Sequence, residues 1–204
     1  MNKSDVNKAY KQLVEILGEE TGIYGIMNLE SCAMTDFWFD TMEADSEENI
    51  SDFESNVYCC TDKEYTLCKI EGKYFTTNLP FVWTADDWSD CFGKNAYALA
   101  DSKGCLLERY SFSNQLKTGI YYFIKNVSFD ERIKNENVQK LLTSCALMNI
   151  INKIDNIVSE TRGIFIYPEN IDFFKDVGFN SSSKDEKAMY LSNKRFKIFN
   201  KDRK

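Results

Sequence analysis

No histidine occurs anywhere in the 204 residues of this chain. That excludes Ser-His-Asp and Cys-His catalysis in their usual forms, and any histidine general base. Chemistry here would have to use carboxylates, tyrosine, lysine, cysteine or a cofactor. Proline (2) and glycine (9) are scarce, which argues against repeats, collagen-like segments and long loose linkers. Long apolar runs are missing too: none approaches the roughly 18 residues of a membrane span. The N-terminus "MNKSDVNKAYKQ" is polar, so neither a signal peptide nor a transmembrane helix is expected, and the expected location is the cytoplasm. Positive charge is in deficit, with a formal net charge of −7. An acidic surface repels nucleic-acid backbones and anionic membranes, so neither is an expected partner. The seven cysteines are scattered without a C-x-x-C pair, and no histidine accompanies them. No metal site is therefore expected, and the thiols read as free ones in a reducing compartment.

What is present is the composition of a folded protein, with 15 Phe and 11 Tyr, at a length that suits a single domain. Val6, Tyr10, Leu13, Val14 and Leu17 recur at helical spacing over residues 4–18, with Ser4 as N-cap and Gly18 as stop. From Val57 the period becomes two, and "VYCCTDKEYTLCKIEGKYFTT" reads as two strands joined by a turn at Glu71-Gly72. "NAYALADSKGCLLERYSF" reads as a hairpin turning at Ser102-Lys103-Gly104. "GIYYFIKNVSFD" reads as a strand, 137–150 as a helix, and "INKIDNIVSE" as a further short helix. "RGIFIYP" follows as a strand, "ENIDFFKDVGF" as a short helix closed by Gly178, and "KAMYLSNKRFKIF" as a last strand. The order predicts an α+β fold, a mixed sheet with helices on its faces.

Two charge asymmetries stand out. Asp36 to Glu54 holds eight carboxylates and no Lys or Arg. It reads as a solvated loop or helix face, as a patch for a cationic substrate, or as a surface imitating a row of phosphates. Lys194 to Lys204 carries six basic groups against one acid, a frayed end or a tail paired with the acidic half.

The stretch "FDERIKNENVQKLL" joins a strand to a helix by a tight loop, the geometry that holds phosphate on backbone N–H groups at a helix N-terminus. It has Asn and Gln where such a cradle usually has Gly. In length and apolar pattern, "VSFDERIKNENVQKLL" resembles the acetyl-CoA loop of the GCN5-related N-acetyltransferase (GNAT) superfamily, Arg/Gln-x-x-Gly-x-Gly/Ala. "YPENIDFFKDVGF" resembles the family's later Tyr-x-x-x-Gly-Phe motif, and "KAMYLSNK" its closing strand; the resemblance covers residues 95 to 195.

The resemblance implies a mostly antiparallel sheet splayed into a V, and transfer of an acetyl group from acetyl-CoA to the amine of a small molecule or protein. Lys134 falls on the family's basic or Gln position, and Asn137 and Gln139 fall on its glycines. The pyrophosphate would then meet N–H groups of the loop around Asn135, Asn137, Val138 and Gln139. The pantetheine would lie against Val127, Ser128 and Phe129. Phe174 stands where many members carry the Tyr that protonates the departing thiolate, and it has no proton to give. Tyr190 or Tyr167 would substitute as acid, and Glu108 or Asp130 would serve as base. Asn tolerates left-handed backbone, so Asn137 is expected to keep the glycine turn, whereas the Gln139 side chain would crowd a phosphate and Glu136 would repel it. The alternative is a GNAT-fold protein that does not catalyse and binds a basic protein partner through its acidic first half. An open nest at residues 134–139 favours the enzyme, and a filled one the binding protein.

Overall fold

The computed structural model describes residues 3–21, 33–39, 50–59, 65–77, 89, 93–100, 102, 110, 119–152 and 161–191. They belong to two compact units. The first gathers Met1–Phe39, Phe53–Glu71 and Asn126–Lys153; the second gathers Asp40–Asp52, Gly72–Lys125 and Ile154–Lys204.

In the first unit, α1 (Lys3–Thr21) packs against α2 (Glu136–Asn152). Ala9 and Leu13, one turn apart, are fully buried, which is why the 3.6-residue pattern forms a helix here. The expected stop at Gly18 does not operate: the helix runs on to Thr21, since a glycine costs a helix only about 1 kcal/mol. α2 is apolar over most of its circumference and buries Val138, Leu141, Leu142, Ala146, Leu147 and Ile150, and it also contacts β1 (Ala33–Phe39). A helix covered on several sides needs its polar groups satisfied. Lys140, largely buried, meets Glu136 at 2.5 Å, and the Ser55 hydroxyl donates to the Ala146 carbonyl at 2.8 Å.

The ends of the acidic stretch are strands rather than loop or helix. β1 pairs antiparallel with β2 (Ile50–Cys59), Trp38 opposite Glu54 and Phe39 opposite Phe53. Alternation explains the difference: Phe53, Ser55 and Val57 are buried while Asp52 is exposed and Glu54 half-exposed. Part of the acidity is neutralised locally, because Lys69 contacts Glu54 at 2.6 Å and Glu71 at 3.0 Å. Residues 40–49, the middle of the stretch, lie outside the described residues.

β3 (Tyr65–Thr77) overturns the expected turn at Glu71-Gly72, since the strand passes straight through it. Gly72 is needed for a different reason: a Cβ there would stand 2.0 Å from the carbonyl oxygen of Phe123 on β4 (Gly119–Phe129). Strand order in the first unit is β1-β2-β3-β4, and in the second β3-β4-β5-β7-β6, with β5 at Thr161–Ile166, β6 at Phe179–Ser181 and β7 at Met189–Leu191. β4 runs parallel to β5 (Thr161–Ile166), Ile120 pairing with Thr161 and Ile124 with Ile166. Ile120–Ile124 and Ile164–Ile166 are buried without alternation, as parallel strands covered on both faces are.

After β5 comes α3 (Ile171–Val177), capped by Asn170, whose carboxamide accepts from the Phe173 N–H at 3.1 Å. Gly178 closes it as expected, with φ at 129°, a conformation that side chains disfavour. β6 (Phe179–Ser181), which the sequence pattern did not reveal, and β7 (Met189–Leu191) complete the unit, antiparallel to each other. The expected hairpin from Asn95 is replaced over Gly93–Leu99 by a 3-10 helix, because Ala96, Ala98, Leu99 and Ala100 all enter the core with Tyr121, Phe123 and Phe165. Residues 153–160, where a short helix was expected, and the basic tail Lys194 to Lys204 lie outside the described residues. The α+β class with a mixed, mostly antiparallel sheet is thus observed. So is the succession of strand, loop, helix, parallel strand, short helix and closing strand.

Candidate functional site

The loop between β4 and α2 is built from local hydrogen bonds. Asp130 N–H donates to Leu67 O at 3.2 Å and fixes the exit of β4. A turn follows, closed by Ile133 N–H to Asp130 O at 2.9 Å, with the Ile133 side chain buried beneath it. Lys134 N–H donates to Arg132 O at 3.0 Å. Arg132 grips the Asp130 carboxylate through Nε at 2.6 Å and a terminal nitrogen at 2.9 Å, while its backbone N–H adds a third bond at 3.0 Å. The guanidinium holds the Asp130 carboxyl below the usual carboxylate range. Asp130 is thereby a structural anion; a general base needs the opposite shift.

Asn135 is the N-cap of α2. Its Oδ1 accepts from Asn137 N–H at 3.0 Å and from Val138 N–H at 3.3 Å, and its carbonyl accepts from Gln139 N–H at 3.0 Å. The Gln139 side chain folds back and donates to Ile133 O at 2.8 Å. It therefore reaches back over the loop that precedes the helix, tied to the Ile133 carbonyl. No residue of the loop has positive φ, so Asn137 does not supply the left-handed turn expected of it. Being held at N2 of the helix fixes its backbone as right-handed.

Toward a pyrophosphate the loop presents the exposed Lys134. The two N–H groups of Asn137 and Val138 carry a carboxamide oxygen where a phosphate oxygen would sit. The fit is complete only when Asn135 turns aside, and the Glu136 carboxylate is already drawn off by Lys140.

Beside this loop lies a pocket of about 340 Å³, within the first unit. Its walls are Gln12, Glu15 and Ile16 of α1, at helical spacings of three and four, together with Arg132, Lys134 and Asn135. Gln12 Oε1 is buried there without a hydrogen-bond partner among the described residues. The pocket thus offers a lysine ammonium and a carboxylate.

The remaining sequence-nominated residues are spread over both units. Val127 and Phe129 are half-buried and Ser128 exposed at the end of β4. Phe174 is buried on α3, edge-on to Phe173 at 5.0 Å and to Phe179 at 5.6 Å between ring centroids, so it is part of the apolar packing. Tyr190 on β7 is half-buried with its ring 4.6 Å from that of Tyr110. The Tyr167 hydroxyl donates to Asp185 at 2.9 Å, an acceptor that raises its pKa. Glu108 lies outside the described residues. Sequence reasoning missed the contributions of Arg132 and of the α1 side chains. An Asn three residues before a buried Val is the N-cap signal that was available for Asn135. Nothing in the sequence marks Gln12 or Glu15. Among the described residues, no helix is long and apolar enough to cross a membrane.

No family model matches the sequence, and no curated protein matches it. Among solved structures, the chain is similar to a tyrosine-to-phenylalanine mutant of the AtaT toxin bound to the C-terminus of the antitoxin AtaR. The identity is 12%, the TM-score 0.39, and the match covers 81% of this chain and 97% of that one. The same mutant complex with acetyl-CoA matches at 12% identity and a TM-score of 0.40, over 82% and 98% of the two chains. A structure of AtaTR bound with acetyl-CoA matches at 10% identity and a TM-score of 0.40, over 81% and 97%. The reading of the site rests on its own geometry.

Proposed function

We propose that this chain is an N-acyltransferase of GNAT type, transferring an acetyl group from acetyl-CoA to an amine. The observation that carries the reading is the pocket at the β4–α2 loop, where exposed Lys134 stands with Asn135 at the start of α2. A cation and two N–H groups at a helix start are what a phosphate needs. The bound thioester would supply an activated acetyl carbonyl, open to direct attack by the amine. Within the chain, Lys134 neutralises phosphate charge and the β4 residues Val127 to Phe129 offer a surface for the pantetheine. Arg132 keeps Asp130 charged and engaged, which leaves the base to Glu108 or to water. Phe174 cannot protonate the departing thiolate, so that proton comes from Tyr190 or from water. The acidic run between Asp36 and Glu54 favours a cationic acceptor, whether a small polyamine or a lysine side chain.

A second reading is favoured by one observation: Asn135 occupies two of the amides a phosphate would use. It makes the chain a non-catalytic relative that binds a basic protein through its acidic half. Calorimetry with acetyl-CoA and free CoA separates the two. Micromolar binding to the wild type that is weakened at least tenfold by Lys134→Glu supports the enzyme and justifies an amine screen. No heat and no thermal shift at millimolar acetyl-CoA sinks it.

A further inference from the structure

We propose that the pocket between α1 and the β4–α2 loop binds a small zwitterion, a free α-amino acid, whose carboxylate meets Lys134 and whose ammonium meets Glu15. The proposal goes beyond the acyltransferase reading and uses no part of acetyl-CoA. Its ground is the charge on the cavity wall. Glu15 and Lys134 line the same space of about 340 Å³, one from α1 and the other from the loop. Both are exposed, and among the described residues neither enters an ion pair, with the other or with any third group. Other basic groups of this unit behave differently. Lys140 closes on Glu136 at 2.5 Å, Lys69 bridges Glu54 and Glu71, and Arg132 grips Asp130.

The frame on each side is set by packing that does not involve the two charges. Gln12, Glu15 and Ile16 share one face of α1, and the fully buried Ala9 and Leu13 anchor that helix. On the loop, the Lys134 backbone is placed by its N–H bond to Arg132 O at 3.0 Å and by the buried Ile133 before it. The rest of the wall leaves the charge balance at these two residues. Arg132 also lines the pocket, but its guanidinium is engaged by the Asp130 carboxylate at 2.6 and 2.9 Å. Gln12 and Asn135 are neutral amides, and Ile16 is apolar.

A cavity with one carboxylate and one ammonium discriminates by sign. A simple anion drawn to Lys134 is repelled by Glu15, and a simple cation drawn to Glu15 is repelled by Lys134. A ligand that carries both signs gains on both walls. Ile16 gives an apolar side chain a surface to cover, so leucine is the suitable probe. Exposed ion pairs contribute little singly, so binding is expected at roughly millimolar strength, each contact being worth about fivefold at most.

The test titrates the full chain with L-leucine to the limit of its solubility and follows the backbone amide resonances of Ile16 and Lys134. Leucinamide, which lacks the carboxylate, and N-acetyl-leucine, which lacks the ammonium, are the comparison ligands. Leucine should move both resonances and bind more tightly than either blocked form, by about fivefold. Glu15→Gln should weaken leucine and strengthen N-acetyl-leucine, because the repulsion of the anion is gone. Lys134→Gln should weaken leucine and strengthen leucinamide. Exchange of the two charges, Glu15→Lys with Lys134→Glu, should bind leucine better than either single charge reversal. Leucine that binds no tighter than its blocked forms, or equally to wild type and Glu15→Gln, overturns the proposal, as does the absence of any shift with leucine. Calorimetry with acetyl-CoA on the same proteins keeps the two readings apart. Leucine binding without acetyl-CoA binding leaves the zwitterion site and removes the acyltransferase, and the opposite result does the reverse.

Discussion

Replacing Gly72 by Ala asks the most of the structure. The added carbon would lie 2.0 Å from the Phe123 carbonyl oxygen, 2.9 Å from its carbon and 3.0 Å from the Ile124 Cα. Even the closest C–H···O approaches between neighbouring strands keep about 3.3 Å, so the two strands must part by more than 1 Å at this point. All three obstructing atoms are backbone, and none can rotate aside. Overpacking of this kind costs about 3 kcal/mol. Gly72 does not have positive φ, so Ala recovers about 0.5 kcal/mol by restricting the unfolded chain. The net loss is about 2.5 kcal/mol, which for a chain of this length lowers Tm by about 5–10 °C. Gly163→Ala is the control: its Cβ would meet the Phe165 ring at 2.9 Å and the Tyr121 ring at 3.0 Å, and rings can shift. About 1 kcal/mol is expected there. Urea unfolding followed by tryptophan fluorescence measures both variants. A Gly72→Ala protein as stable as wild type, or more stable than Gly163→Ala, refutes the close strand approach.

Two further predictions concern pH. Asp130 has its pKa depressed by Arg132, so its contribution is present above the unfolded carboxyl pKa and fades as pH falls through the lower folded value. Asp130→Asn should flatten the stability profile below pH of about 4, by no more than about 1 kcal/mol for a half-buried pair that solvent still reaches. A profile unchanged in slope would show the ion pair to be without thermodynamic weight. Burial pushes the thiols the other way, Cys68 up to about 12 and Cys145 up to about 11. Their contribution is complete below the unfolded thiol pKa of about 8.5 and is lost as pH rises above it, so Cys68→Ala should lessen alkaline destabilisation. Peptide-level iodoacetamide labelling at pH of about 7.5 should leave both cysteines unmodified until denaturant is added. Rapid labelling of the native protein at Cys68 would contradict its burial.

The contrast between Gly72 and Gly178 shows how far the sequence could be read. Gly178 ends α3 by its own positive φ, a local requirement visible from the helical pattern before it. Gly72 sits beside Glu71 in a setting that reads locally as a turn, and only the neighbouring strand shows why it must lack a side chain. The same divide runs through the candidate site. The strand, loop and helix around Phe129 to Leu142 were legible because apolar periodicity changes there from two to 3.6. Lys134 and Asn135 were named from the resemblance of that stretch to the GNAT loop. Gln12 and Glu15 were not, because they meet the loop only through the packing of α1, which no spacing encodes. Asn95 to Leu99 looked like strand since alternating alanines fit a pleat, and a core that buries Ala96, Ala98 and Leu99 together made a 3-10 turn instead.

The first unit is assembled from three separate stretches of chain, with more than a hundred residues between α1 and α2. No single cut yields it as a continuous fragment. During synthesis Ala9 and Leu13 emerge long before the helix that covers them, and their apolar stripe stays open to chaperones or to other chains meanwhile. The loop that closes this pairing costs entropy before any contact repays it, so the α1–α2 contact belongs late in folding. The pocket at the β4–α2 loop, which needs both helices in place, forms only once the chain has been made as far as Asn152.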